Sequence, residues 1–370
     1  MRWSFKIGEF AGIGVYMHAT FLLLIGWIVL ANLLAGGTLS AALAGVAFIL
    51  LLFALVVAHE YGHALTARRF GIKTRDITLL PIGGVARLER MPDKPIQELW
   101  VALAGPAVNV VIGAILFLWL VLTNGLEPLS TLSVSGGSLI ERLFLVNVVL
   151  ALFNMIPAFP MDGGRVLRAL LAMRMEYGRA TQIAASVGQG FALLLGLFGL
   201  FNNPLLLFTA LFVWIGAQQE SGMAQVKSAL AGIPLRRAMI TDFRALAPGD
   251  ALSRAVELVL SGAQQDFSVV EDGRVVGVLP RADLLAALGR LGVEARVADV
   301  MRRDFIVADS ADMLEPVSLR LQECQCHTIP VVDGGRLVGL VTMDNIGEFL
   351  MVQSALRGGG SSQRLLMQEA

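Results

Sequence analysis

The sequence predicts a polytopic α-helical membrane protein of about six transmembrane helices. A small membrane-associated β-hairpin or sheet and a C-terminal soluble α/β pair complete the expected fold. Three observations predict it. The 370 residues are 56% hydrophobic and only 16% charged, against roughly 25% charged in soluble domains. Apolar runs crowd the first 222 positions, and crossing a bilayer takes only ~20 such residues. Beyond them the composition turns charged, and one segment repeats with a period of about 60 residues.

The apolar runs lie near 18–34, 41–67, 99–122, 139–156, 183–200 and 204–218. Loops near 35–40, 123–138 and 202–203 hold no Lys or Arg, whereas Arg68, Arg69, Lys73, Arg75, Arg165, Arg168 and Arg174 fall on the opposite set. The positive-inside rule then places both termini and the C-terminal pair in the cytoplasm, with the chain multi-pass in the cell (plasma or inner) membrane. The first 17 residues are mixed and polar, so no cleaved signal peptide is expected. A net charge of +0 argues against nucleic acid as a partner. Cys324 and Cys326 are separated by one residue, too short a gap for an ordinary disulfide, and are expected to be reduced.

Between the second and third runs, Asp76 to Glu89 alternates short β-type stretches around Pro81, Gly83 and Gly84, as a hairpin would. Strand edges cannot face lipid unpaired, so the hairpin belongs at the interface or against protein, where an edge can pair with an extended peptide. In the C-terminal pair, Asp272-Gly273 and Gly334-Gly335 sit between apolar runs as hairpin turns. The expected division is a membrane domain 1–222, a linker 223–232, the pair 233–351 (233–290 and 291–351), and a Gly/Ser-rich tail 352–370 expected to be disordered.

The chemistry sits at the end of the second run. His59, Glu60, Tyr61, Gly62 and His63 spell H-E-x-x-H. On a helix, positions i and i+4 share a face, so both histidines can grip one zinc ion, and Glu60 beside them can take a proton from zinc-bound water. Ionisable residues at bilayer depth are costly and need such a reason. Zinc wants a third protein ligand and one open position. Asp162 is the best candidate, because Pro157 and Pro160 break the fourth run just before it, with Gly163 and Gly164 allowing a sharp turn after it. The competing role for Asp162 is to cap a helix beginning near Arg165. His18 reads as an interfacial anchor, and His327 as part of the repeat's core.

With these motifs the chain resembles the site-2 protease family of intramembrane zinc metalloproteases, in the prokaryotic branch with a C-terminal CBS pair. The family's second signature matches Asn154 to Gly163. The resemblance implies one zinc per chain on His59, His63 and Asp162, with Glu60 as general base. It further implies that Asn154 positions the substrate, as do Asn109 on the third run and the Gly83–Gly84 loop. For Ala104, Gly105, Pro106 and Asn109, close helix packing by small residues is the competing reading. The repeats resemble the CBS pattern in which a hydroxyl and a carboxylate hold a ribose. Each copy is half-complete: Pro280 with Asp283 in the first, Thr342 with Asn345 in the second. An adenine nucleotide at Asp283 and Thr342 and a homodimer through the pair are the expectations drawn from them. The function implied is endoproteolysis in or beside transmembrane segments of membrane proteins, as in regulated intramembrane proteolysis. The alternative is a transporter or channel gated by its CBS pair, although the runs show no inverted repeat.

Overall fold

The computed structural model describes residues 3–81, 83–92, 94–123, 138–262, 264–324 and 326–366. The chain divides into two compact units, Met1–Gln225 and Val226–Ala370.

The first unit opens with two strands, β1 (Ser4–Phe10) and β2 (Ile13–His18). Ala11 and Gly12 between them both have positive φ, 53° and 77°, the turn whose twist suits a two-residue hairpin. Helices α1 (Thr20–Leu34) and α2 (Leu39–Arg69) follow, then the expected hairpin of β3 (Thr74–Leu80) and β4 (Gly83–Leu88). The four strands form one sheet in the order β1-β2-β3-β4, with β2 parallel to β3 because two helices intervene. Ile13, Ile77 and Ala64 form one buried contact between sheet and α2. Phe21, Phe53 and Leu79 form another, the two rings edge-on at 4.6 Å.

α2 has 31 residues and so spans about 46 Å, well beyond a hydrocarbon core of about 30 Å. Thr38 caps its start, and Arg68 and Arg69 face the negative end of its dipole. Next come α3 (Pro95–Leu122), α4 (Leu139–Asn154), α5 (Asp162–Ala172), α6 (Tyr177–Asn202) and α7 (Leu205–Leu230). Three of these, α2, α3 and α6, are long and apolar enough to cross a membrane by length and composition. The run at 139–156 folds as a helix of 16 residues, about 24 Å, which is why length alone does not qualify it. α7 continues unbroken through 223–230, the stretch expected to be a linker.

In the second unit each repeat has a short strand, a helix, a hairpin and a second helix. The first holds β5 (Ala245–Leu246), α8 (Leu252–Ser261), β6 (Phe267–Glu271), β7 (Arg274–Leu279) and α9 (Arg281–Leu291). The second holds β8 (Ala308–Asp309), α10 (Leu314–Cys324), β9 (Thr328–Asp333), β10 (Arg336–Thr342) and α11 (Met343–Leu366). Both hairpins turn at the expected dipeptides, all at positive φ. The two cores interleave. Leu230, Ile233, Leu235 and Ala238, which precede the first repeat, lie in the core of the second. Val297 and Met301, which precede the second hairpin, lie in the core of the first.

One expectation, that of reduced cysteines, is corrected here. α11 itself runs to Leu366, into the stretch expected to form the tail. Residues 367–370 lie outside the described set. The Cys324 and Cys326 sulfurs form a bonded pair, their Cα atoms 5.1 Å apart and within the span that a disulfide bridges.

Candidate metal centre

The i, i+4 pair on α2 meets α5 at one point. His59 and His63 are 4% and 5% exposed and Asp162 is 7% exposed. The two Nε2 atoms lie 3.0 Å apart, and each is 3.1 Å from Asp162 Oδ2. These atoms form the only cluster of three metal-ligating groups among the described residues. A triangle of that size nearly matches the ~3.3 Å edge of a tetrahedron with metal–ligand bonds of ~2.0–2.1 Å.

Protonation argues the same way. His63 Nδ1 donates to the Val101 carbonyl at 2.7 Å, so in the neutral ring Nε2 carries a lone pair. A lone pair aimed at a carboxylate oxygen and a second ring nitrogen is unfavourable unless something positive is shared. A divalent cation satisfies all three donors, and two neutral imidazoles with one carboxylate suit zinc. The residues therefore fit the ion.

α3 makes the site possible by coming very close. A methyl group on Gly105 would lie 2.2 Å from His63 Nε2 and 2.7 Å from His59 Nε2. One turn away, a methyl on Gly62 would meet the Ala104 carbonyl oxygen at 2.6 Å. The intervening motif residue is also engaged. Tyr61 donates its hydroxyl to the Ile13 carbonyl at 3.0 Å, tying α2 to the β1–β2 turn.

Asp162 is the first residue of α5. Met161 holds the capping position, and the carboxylate turns to the histidines, so the capping role is not the one it takes. Gly163 and Gly164 do not serve a sharp turn, since both are helical. Added methyls there would strike the backbone of Met155–Phe159 at 2.3–2.9 Å, so their role is space.

Glu60 Oε2 accepts the Ala86 N–H at 3.3 Å, which sets the carboxylate against β4. Gly84 brings that strand in: a methyl there would sit 3.0 Å from Glu60 Cγ, while Gly83 stands in open space at φ 142°. Arg87 on β4 bonds Asp76 on β3 through two contacts, one at 2.8 Å, and this bonding holds its guanidinium above the usual pKa. Asn109 is fully buried one turn beyond Gly105, and neither end of its amide has a partner among the described residues. Asn154 ends α4 and donates to its own helix at the Leu150 carbonyl, away from the triad's bonding network.

In the repeat unit a cavity of about 860 Å³ is lined by Thr342, Asp344, Asn345, Asp266, His327 and Arg244. Asp283 is instead held by Arg302 at 2.5 and 3.0 Å.

Residues 47–138 and 130–195 match the model of peptidase family M50, and 235–290 and 297–351 match the CBS domain. A zinc metalloprotease of Methanocaldococcus jannaschii is 32% identical across 94% of this chain and 96% of its own. The chain belongs to peptidase family M50. This M50 chain is thus a zinc metalloprotease of the site-2 type, a membrane enzyme with a CBS pair, rather than the gated transporter that its sequence also allowed. Stage IV sporulation protein FB of Bacillus subtilis is 29% identical over 48% of this chain and 57% of its own. The solved site-2 protease of M. jannaschii is 39% identical, covering 59% of this chain and 95% of that one, at a TM-score of 0.44.

Proposed function

We propose that this M50 protein hydrolyses peptide bonds in or beside transmembrane segments of other membrane proteins, in regulated intramembrane proteolysis. The observation that carries this reading is the meeting of three buried metal-ligating groups partway along a helix long enough to cross a bilayer. His59, His63 and Asp162 hold one zinc. When bound, zinc supplies a Lewis acid that polarises the scissile carbonyl and lowers the pKa of water. Glu60 accepts the water's proton and returns it to the leaving amine nitrogen. β4 is an edge strand of its sheet, so an extended peptide can pair with it beside Glu60, where the open space at Gly83 leaves room. The substrate helix unwinds to do so, since helical amides are closed by their own hydrogen bonds. Asn109 offers its unpaired amide to the substrate backbone, and Asn154 does so after releasing Leu150. The protein crosses the membrane about six times, with both termini and the CBS pair cytoplasmic.

The test is cleavage of a tagged single-span substrate in liposomes before and after stripping the metal with a chelator. Cleavage is expected to fall to background and to return with Zn²⁺. Undiminished cleavage by protein that elemental analysis shows to be metal-free would overturn the reading.

The CBS pair is read as regulatory, through an adenine nucleotide or a homodimer. Arg302 occupies Asp283, whereas Thr342 faces the cavity and bonds the Asn345 N–H at 3.1 Å. A nucleotide therefore belongs at the Thr342 half. Calorimetry of the full chain with AMP, ADP and ATP is expected to show binding that Thr342→Ala removes and Asp283→Ala leaves within about 3-fold, as for a group outside the contact set. The reverse pattern would place the nucleotide at the Asp283 half instead, and no heat at millimolar nucleotide would leave dimerisation alone.

A further inference from the structure

The proposed chemistry uses no part of Arg168, yet this residue of α5 is only 1% exposed. Its Nε donates to Glu98 Oε1 at 2.7 Å, and its Nη1 donates to Glu220 Oε2 at 2.8 Å. The guanidinium also lies 5.0 Å from the Phe159 ring centroid and 5.1 Å from that of Tyr177. Glu98, in the first turn of α3, is 2% exposed. Such a cluster is weak evidence for stability, because well-packed apolar side chains would serve a fold as well or better. What it offers is geometry. A guanidinium is a rigid planar fork that fixes its partners in direction as well as distance.

The helices it joins include α5, which carries Asp162, and α3, which packs against the histidine pair of α2. Glu98, Val101, Gly105 and Asn109 follow one another at helical spacings of three, four and four on α3. Val101 holds His63 by its carbonyl, and Gly105 lies against both Nε2 atoms. α3 is therefore indexed to the histidine pair. Asp162 stands on α5, on the same helix as Arg168. Glu98 and Arg168 index α5 to α3, and Glu220 adds α7 to the same lock.

We propose that Arg168, held by Glu98 and Glu220, is a positioning residue that sets the third metal ligand, Asp162, against the histidine pair, and so governs metal affinity and geometry. The inference rests on the reading that His59, His63 and Asp162 bind the metal.

The experiment titrates Co²⁺ into metal-free full-length protein in detergent and follows its visible absorption, with unfolding of the metal-free protein measured in parallel. Arg168→Gln is expected to lose at least about 10-fold in Co²⁺ affinity and to shift the band, as supporting residues of metal sites do. Because that variant strands a buried carboxylate, the neutral triple variant Glu98→Gln, Arg168→Met, Glu220→Gln is the deciding one. It is expected to recover wild-type unfolding and still bind Co²⁺ weakly with a shifted band. Wild-type affinity and band in the triple variant would overturn the positioning role. Unchanged Co²⁺ binding by His63→Ala would overturn the metal reading itself, and the two failures are told apart by which variant binds.

Discussion

Glu60→Gln lowers cleavage of a transmembrane substrate by at least about 10²–10⁴-fold, the usual worth of a general base, and leaves zinc in place. Glutamine keeps the length and the carbonyl oxygen, so the bond from the Ala86 N–H survives and β4 stays against α2. Only the ability to take a proton is lost. Glu60 is also absent from the cluster of metal-ligating atoms, so the metal has no reason to leave. Cleavage rates together with elemental analysis check both halves. A variant that cleaves at near wild-type rate removes Glu60 from the mechanism, and one that loses its zinc shows that Glu60 supports the site.

The second large effect comes from one methyl group. Gly105→Ala puts a carbon 2.2–2.7 Å from His63 Nε2, His63 Cε1 and His59 Nε2. Neither ring can retreat easily, because His63 is held by Val101 and both rings rise from one helix. α3 cannot back away without opening the contact between Gly62 and Ala104. The expected result is a loss of zinc affinity of at least roughly 10–100-fold, read by competition with a coloured chelator. Stoichiometric zinc at wild-type affinity in Gly105→Ala would mean that α3 does not approach the histidines as described.

The parts of this molecule legible in its sequence are those written locally. H-E-x-x-H depends on one helix repeat, the β3–β4 hairpin on turn residues between two short β-type stretches, and the CBS pair on self-similarity. Asp162 is readable only beside H-E-x-x-H, since an acid after Pro157 and Pro160 reads on its own as a helix cap. The first two strands were missed: Trp3, Phe5 and Ile7 alternate as a strand should, but the partner of β2 lies beyond two helices. Gly105 read as a packing residue. It is one, but what it packs against are the metal-ligating rings, and only the crossing of α2 and α3 reveals that. In the sequence Arg168 reads as a loop-side positive charge, yet its partners stand 70 and 52 residues away, a distance no local pattern spans.

A search pattern treats the third and fourth letters of H-E-x-x-H as wildcards. In this chain they are not free. Tyr61 moors an N-terminal hairpin about fifty positions upstream, and Gly62 clears the way for a neighbouring helix. Grafting the five letters onto another long apolar helix would transfer two histidines and a glutamate but not their surroundings. A designer borrowing the site would have to bring its mooring and its crossing point as well.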